Sequence, residues 1–206
     1  MTQDRPVEKT SNPATSALKY DRNVAKTLAS KVDRPIVLVG MMGSGKSRVG
    51  QLLSQILELP FIDCDKEIET AAGCSISDYF ERYGEDAFRD GESRVMRRIL
   101  DDGEPKIVSS GGGIVIRDET RLSLKEKSIC VWLQADIDVL AARCASNDKR
   151  PLLHGTDPAV KLRELYPIRA PLYAEVAAFN ASSNQEDANE TVAEVLDGLR
   201  TYFKVA

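Results

Sequence analysis

The chain has few side chains suited to transition metals or to cross-linking, with one histidine and four cysteines among 206 residues. Cys64, Cys74, Cys130 and Cys144 are scattered, no two form a Cys-x-x-Cys pair, and His154 has no partner at zinc-ligand spacing. This pattern predicts free thiols in a reducing compartment and argues against a disulfide framework or a zinc site. No apolar run approaches the roughly 18 residues of a membrane span. Residues 1–17 also lack the apolar stretch of a secretory signal, so a cytoplasmic location is expected. Excess positive charge is missing too: the formal net charge is −4, which gives no basic surface for nucleic acid or anionic lipid.

What remains is an ordinary globular composition, 42% hydrophobic and 29% charged, long enough to bury one core without staples. Residues 1–33 stand apart, with Pro6, Pro13 and many Ser, Thr, Lys and Asp residues. Such a stretch is expected to be largely flexible. Near its end Val24, Leu28 and Val32 recur every fourth position and predict a short helix over 21–32 that docks on the core. A transit peptide is the alternative, opposed by the acidic Asp4, Glu8 and Asp21.

From Arg34 onward short apolar runs alternate with helical patterns. Ile36–Val39 is a continuous aliphatic run, as in a strand buried on both faces. A helix to about Glu58 follows, with Val49, Leu52, Leu53, Ile56 and Leu57 on one side. Further strands are expected at 60–62, 106–109, 129–133 and, weakly, 178–181. Helices are expected within 67–102 (broken at Gly73 and Gly84) and over 136–145, 159–177 and 189–203. Strands alternating with helices specify an α/β fold, a parallel sheet with helices on both faces, and ligands in such sheets bind at the carboxyl ends of the strands.

The residues with recognisable chemistry fall at those ends. Gly40-Met-Met-Gly-Ser-Gly-Lys-Ser47 is a P-loop flanked by a strand and a helix. Its glycines let backbone N–H groups turn inward around phosphate oxygens, Lys46 reaches the β- and γ-phosphates, and the Ser47 hydroxyl suits Mg²⁺. The loop alone establishes nucleotide binding.

Three further features suggest a small acceptor. Asp63-Cys64-Asp65 ends the second strand, and two carboxylates one residue apart share a face if the backbone stays extended. Arg89 and Arg169 offer bidentate grips for a carboxylate. Gly111, Gly112 and Gly113 permit close backbone approach and positive φ. Residues 146–158 read as a lid in which Arg150 neutralises the transferring phosphoryl group, with Arg143 stacked on adenine. His154 is expected to have no catalytic role. A solvated loop for the Asp pair, surface ion pairs for the arginines and a plain tight turn for the glycines are the bland alternatives.

These motifs together resemble the shikimate kinase family over about residues 35–203. The resemblance rests on the P-loop, Asp63-Cys64-Asp65, Phe88-Arg89-Asp90-Gly91-Glu92, Gly111–Gly113, Arg150-Pro-Leu-Leu153 and Arg169-Ala-Pro-Leu-Tyr173. It implies a monomeric three-layer enzyme with a five-stranded parallel sheet of the nucleoside monophosphate kinase type, over residues 34–206. The implied reaction is transfer of the ATP γ-phosphate to the 3-hydroxyl of shikimate. By that resemblance Lys46, Asp65 and Arg150 are catalytic. Gly43, Ser44, Gly45, Lys46, Ser47, Arg48, Arg143 and Arg150 contact ATP, and Asp65, Arg89, Gly111–Gly113 and Arg169 hold shikimate. Ser47 ligates Mg²⁺ directly, and Asp63 does so through water.

Three departures accompany the likeness. The first 33 residues are extra, Arg48 stands where threonine is common, and Phe179-Asn-Ala-Ser-Ser183 lacks the family's hydrophobic-Asp-Thr strand end and following proline. A P-loop kinase for gluconate or a nucleoside monophosphate, or a non-catalytic nucleotide-binding switch, is the competing reading.

Overall fold

The computed structural model describes residues 21–145 and 157–205. The tail before Asp21 and most of the expected lid, including Arg150 and His154, lie outside the described residues. Five parallel strands form one sheet in the order β2-β3-β1-β4-β5. They are β1 (Ile36–Val39), β2 (Phe61–Asp63), β3 (Ile107–Ser109), β4 (Ile129–Gln134) and β5 (Phe179–Ser182). Burial on both faces explains why β1 is wholly apolar. Val37 and Val39 pack into one cluster, while Ile36 and Leu38 pack into the other.

Eight helices cover the two faces among the described residues. On the Ile36/Leu38 side lie α1 (Arg22–Lys31), α2 (Lys46–Leu57) and α8 (Ala188–Phe203). The opposite side carries α3 (Cys64–Ala72), α4 (Ile76–Asp101), α5 (Asp118–Lys127), α6 (Ile137–Ala145) and α7 (Pro158–Val176). Among the described residues no helix is long and apolar enough to cross a membrane. All four cysteines are free.

Helix α1 is capped by Asp21, whose carboxylate accepts from the Asn23 N–H at 2.8 Å. It buries Leu28 completely, and Val32 just beyond it, in the cluster shared with α2 and α8. At about 1.5–3 kcal/mol per fully buried aliphatic side chain, these two contacts tie α1 to the helix that follows the P-loop.

Helix α5 has no counterpart among the helices expected from hydrophobic pattern. Its ten residues carry only Leu122 and Leu124 as apolar side chains, and Leu122 is exposed. Polar contacts anchor it instead. Thr120 donates to Ser93 at 2.8 Å in the interior, Arg121 pairs with Glu175 at 2.8 Å, and Lys127 pairs with Asp101 at 2.7 Å. Gly84 breaks the α4 geometry at φ 79°, leaving the segment that carries Arg89 as a separate helical run.

Candidate active site

Two sets of residues face each other across a cavity of about 680 Å³ at the carboxyl ends of the strands. The first is the loop from β1 into α2. Gly40, Gly43 and Gly45 all have positive φ, and a Cβ at Gly40 would lie 2.6 Å from the Leu133 carbonyl of β4. The loop therefore needs glycine both for conformation and for closeness to the sheet.

Lys46 is buried, and its ammonium donates to the Gly40 and Met41 carbonyls at 2.9 and 2.8 Å. Ser47 faces the cavity with its hydroxyl oxygen 3.1 Å from that of Ser109. Gly43, Gly45 and Arg48 also line the cavity. Ser44 does not reach it. Its side chain is buried, its N–H is turned onto the Met41 carbonyl at 3.2 Å, and its own carbonyl accepts from Ser183 at 3.0 Å.

Arg143 lines the same end. Its guanidinium donates to the Ser183 carbonyl at 2.7 Å, to Gly43 at 3.4 Å and to the Gln185 carbonyl. The end of the Phe179–Ser183 segment is thus stitched to the P-loop through Ser183 and Arg143.

The second set forms the acceptor end. Asp63 and Asp65 both line the cavity, though not as neighbours on an extended strand. Asp63 ends β2 and caps α3, its carboxylate accepting from the Asp65 N–H at 3.1 Å, and Asp65 stands in the first helical turn. The carboxylates converge because the chain turns into a helix between them, where an N-cap satisfies a donor that the helix leaves open.

Arg89, on α4, is 5% exposed, with Glu92 at 2.8 Å and Glu85 at 3.0 Å. Burial works against its charge, but the two carboxylates outweigh that and raise its pKa. Glu92 is 2% exposed and lines the cavity, and its Oε1 has no hydrogen-bond partner. Burial pushes its carboxyl up and Asp65 adds to the shift, against the pull of Arg89. Glu92 was given no role from sequence. The signal was there, an acidic residue three positions after Arg89 on one helix face.

Gly111–Gly113 link this end to β1 and α7. Ser110 donates through its hydroxyl to the Leu38 carbonyl at 2.8 Å. The Gly112 carbonyl accepts from Arg169 at 3.4 Å and from Tyr173. Arg169 and Tyr173 are one turn apart on α7 and both buried, and burial pushes the Tyr173 phenol up.

Positive φ is not what these glycines provide, because none of the three has it. They provide closeness. A Cβ at Gly111 would stand 2.3 Å from Glu92 Oε1, and one at Gly113 only 2.0 Å from Arg89 Nη1.

The cavity wall holds Lys46, Arg48, Lys66, Arg89, Arg143 and Arg169 against Asp63, Asp65, Glu69 and Glu92, a balance suited to anionic ligands. Among the described residues no three His, Cys, Asp or Glu side chains gather as a metal cluster.

Comparison with known proteins gives a consistent result. The family model described as Shikimate kinase matches residues 42–200. A shikimate kinase of Paramagnetospirillum magneticum is 45% identical over 180 residues, covering 87% of this chain and 91% of that protein. One of Ruegeria pomeroyi is 44% identical over 186 residues, 89% of this chain and 95% of its own length. The solved shikimate kinase of Acinetobacter baumannii, in complex with shikimate, superposes with a TM-score of 0.80 at 34% identity. That match covers 90% of this chain and all of the other.

Proposed function

Since this chain belongs to the shikimate kinase family, a family of ATP-dependent phosphotransferases, we propose that it moves the γ-phosphate of ATP to the 3-hydroxyl of shikimate. The observation carrying this is one cavity lined both by the P-loop and by Asp65 with two buried arginines, Arg89 and Arg169. The family assignment favours shikimate over gluconate as acceptor, and the presence of both Lys46 and Asp65 in the cavity opposes a non-catalytic switch.

Residues divide the work as follows. The P-loop amides and the α2 N-terminus hold the phosphates, with Lys46 leaving its carbonyl contacts for phosphate oxygens and Arg48 at the rim. Arg143 presents the face of its guanidinium to adenine while its edge stays bonded to Ser183 and Gln185. Arg89 and Arg169 grip the shikimate carboxylate, and the Gly111–Gly113 backbone lets the ring approach. Asp65 accepts the proton of the attacking hydroxyl, an effect typically worth about 10²–10⁴ in rate. Arg150, outside the described residues, is assigned the developing phosphoryl charge, with 146–158 closing as a lid.

The site fits Mg²⁺. Ser47 and Asp63 offer hard oxygens beside the P-loop, and this ion takes one or two protein oxygens plus phosphates and water rather than a full protein cage. Ser47 would hold it directly and Asp63 through water, and when bound it offsets charge between the β- and γ-phosphates. The same reading takes residues 34–206 as the kinase domain of a cytoplasmic monomer engaging small molecules, consistent with the net charge of −4.

Asp65→Asn tests the assignment in an ADP-release assay. A kcat lower by ~10²–10⁴ with unchanged ATP binding is expected. A near-normal kcat removes Asp65 from the chemistry.

A further inference from the structure

We infer that Ser109 positions the metal-binding hydroxyl of Ser47, an inference that rests on Ser47 being the Mg²⁺ ligand. Ser109 is the last residue of β3 and 2% exposed. Strand register places it between Asp63 of β2 and Leu38 of β1, with Val131 of β4 next in the row. Leu38 and Val131 pack into the apolar cluster beneath α2. A hydroxyl in that row is costly unless hydrogen-bonded, and its partner is the Ser47 hydroxyl at 3.1 Å. The end of β3 and the first turn of α2 thus meet through these two hydroxyls, with Ser47 and Asp63 both on the cavity wall.

The chemistry follows from the inventory of a hydroxyl, which has one proton and two lone pairs. A serine that ligates a cation must aim a lone pair at it and send its proton elsewhere. With Ser109 as acceptor, the Ser47 proton points into the sheet and a lone pair faces the phosphates. Without Ser109 the Ser47 hydroxyl rotates freely, and the orientation competent for the metal is only one of several. Partners that orient a ligand in this way typically account for about 10–100-fold in metal affinity.

The test is calorimetric titration of ADP into the full chain, in Mg²⁺ and in EDTA. Ser109→Ala is expected to weaken ADP binding about tenfold in Mg²⁺ and to leave binding in EDTA unchanged, with Ser109→Thr restoring the wild-type value. Ser109→Cys, of similar volume and weaker acceptor strength, replaces Ser109→Ala if that variant does not fold.

An undiminished Mg²⁺-dependent gain in Ser109→Ala overturns the inference. So does an equal loss in Mg²⁺ and EDTA, which marks a purely structural hydroxyl. Ser47→Ala separates the two levels. If it abolishes the gain while Ser109→Ala keeps it, only the role of Ser109 falls. If Ser47→Ala also keeps the gain, the ligand assignment of Ser47 falls as well.

Discussion

Replacing Gly113 with alanine should damage acceptor binding and spare nucleotide binding, because the added methyl lands on Arg89. Its Cβ would lie 2.0 Å from Nη1, 2.3 Å from Cζ and 2.7 Å from Nη2, all well inside the 3.4 Å of ordinary contact. The backbone at Gly113 lacks positive φ, so the collision is the whole effect. A surface arginine would swing aside at little cost. Arg89 is 5% exposed and fixed by Glu92 at 2.8 Å and Glu85 at 3.0 Å. A shift of an ångström takes the Glu92 contact out of hydrogen-bond range. Losing one charge-assisted bond costs about 1.5–3 kcal/mol, which predicts a shikimate KM raised about ten- to a hundredfold. KM for ATP should not move.

Gly112→Ala is the internal control. Its Cβ meets nothing closer than the Met42 backbone nitrogen at 3.4 Å, so a change under about 1 kcal/mol, within roughly fivefold, is expected. The assay is coupled ADP release with each substrate varied in turn, alongside melting curves to confirm folding. Equal shikimate KM values for Gly113→Ala and Gly112→Ala would refute the reasoning, since Arg89 would then be free to move without consequence for the acceptor.

Two other outcomes bear on stability. Leu28→Ala removes a fully buried side chain of α1 and should lower unfolding free energy by about 2–5 kcal/mol with kcat intact; denaturant titration showing less than 0.5 kcal/mol, taken as about the noise of a surface change, would argue that α1 does not brace the core. The raised Glu92 carboxyl gives a pH signature. Its folded pKa lies above the ordinary 4.5, so its favourable contribution is complete below that value and is lost as pH rises through the folded pKa. Against the non-titrating Glu92→Gln, the wild type should therefore lose relative stability from about pH 4.5 upward. A gap in melting temperature that stays constant across the carboxylate titration range, from about pH 4 to about pH 8, would contradict the shift.

The features legible in the sequence were those with a local code. A wholly aliphatic four-residue strand, glycines at fixed offsets before Lys46 and Ser47, and the short motifs around Arg89 and Arg169 all owe their meaning to near neighbours in the chain. The order of the strands and of every helix but α5, and with it an α/β sheet with ligands at one end, followed from local apolar pattern. The shikimate kinase likeness came from the joint spacing of those same motifs.

Other features exist only through space. Helix α5 is invisible to apolar periodicity because its anchors are Ser93, Asp101 and Glu175, residues 26 to 54 positions away. Asp63 and Asp65 looked like partners on a strand, whereas a helix cap brings them together. The glycine triplet was expected to allow close approach and positive φ; none has positive φ, and Gly111 and Gly113 leave room for Glu92 and Arg89. Ser109 heads the Ser-Ser-Gly-Gly-Gly segment without a role of its own in the sequence, and it gains one because parallel pairing sets it beside Asp63 and within reach of Ser47. The sequence by itself determined which chemical groups are present and which end of the sheet they occupy, since strand and helix periods are local. Only the tertiary structure decided which groups touch, since contact between distant segments depends on how the whole sheet and its helices pack.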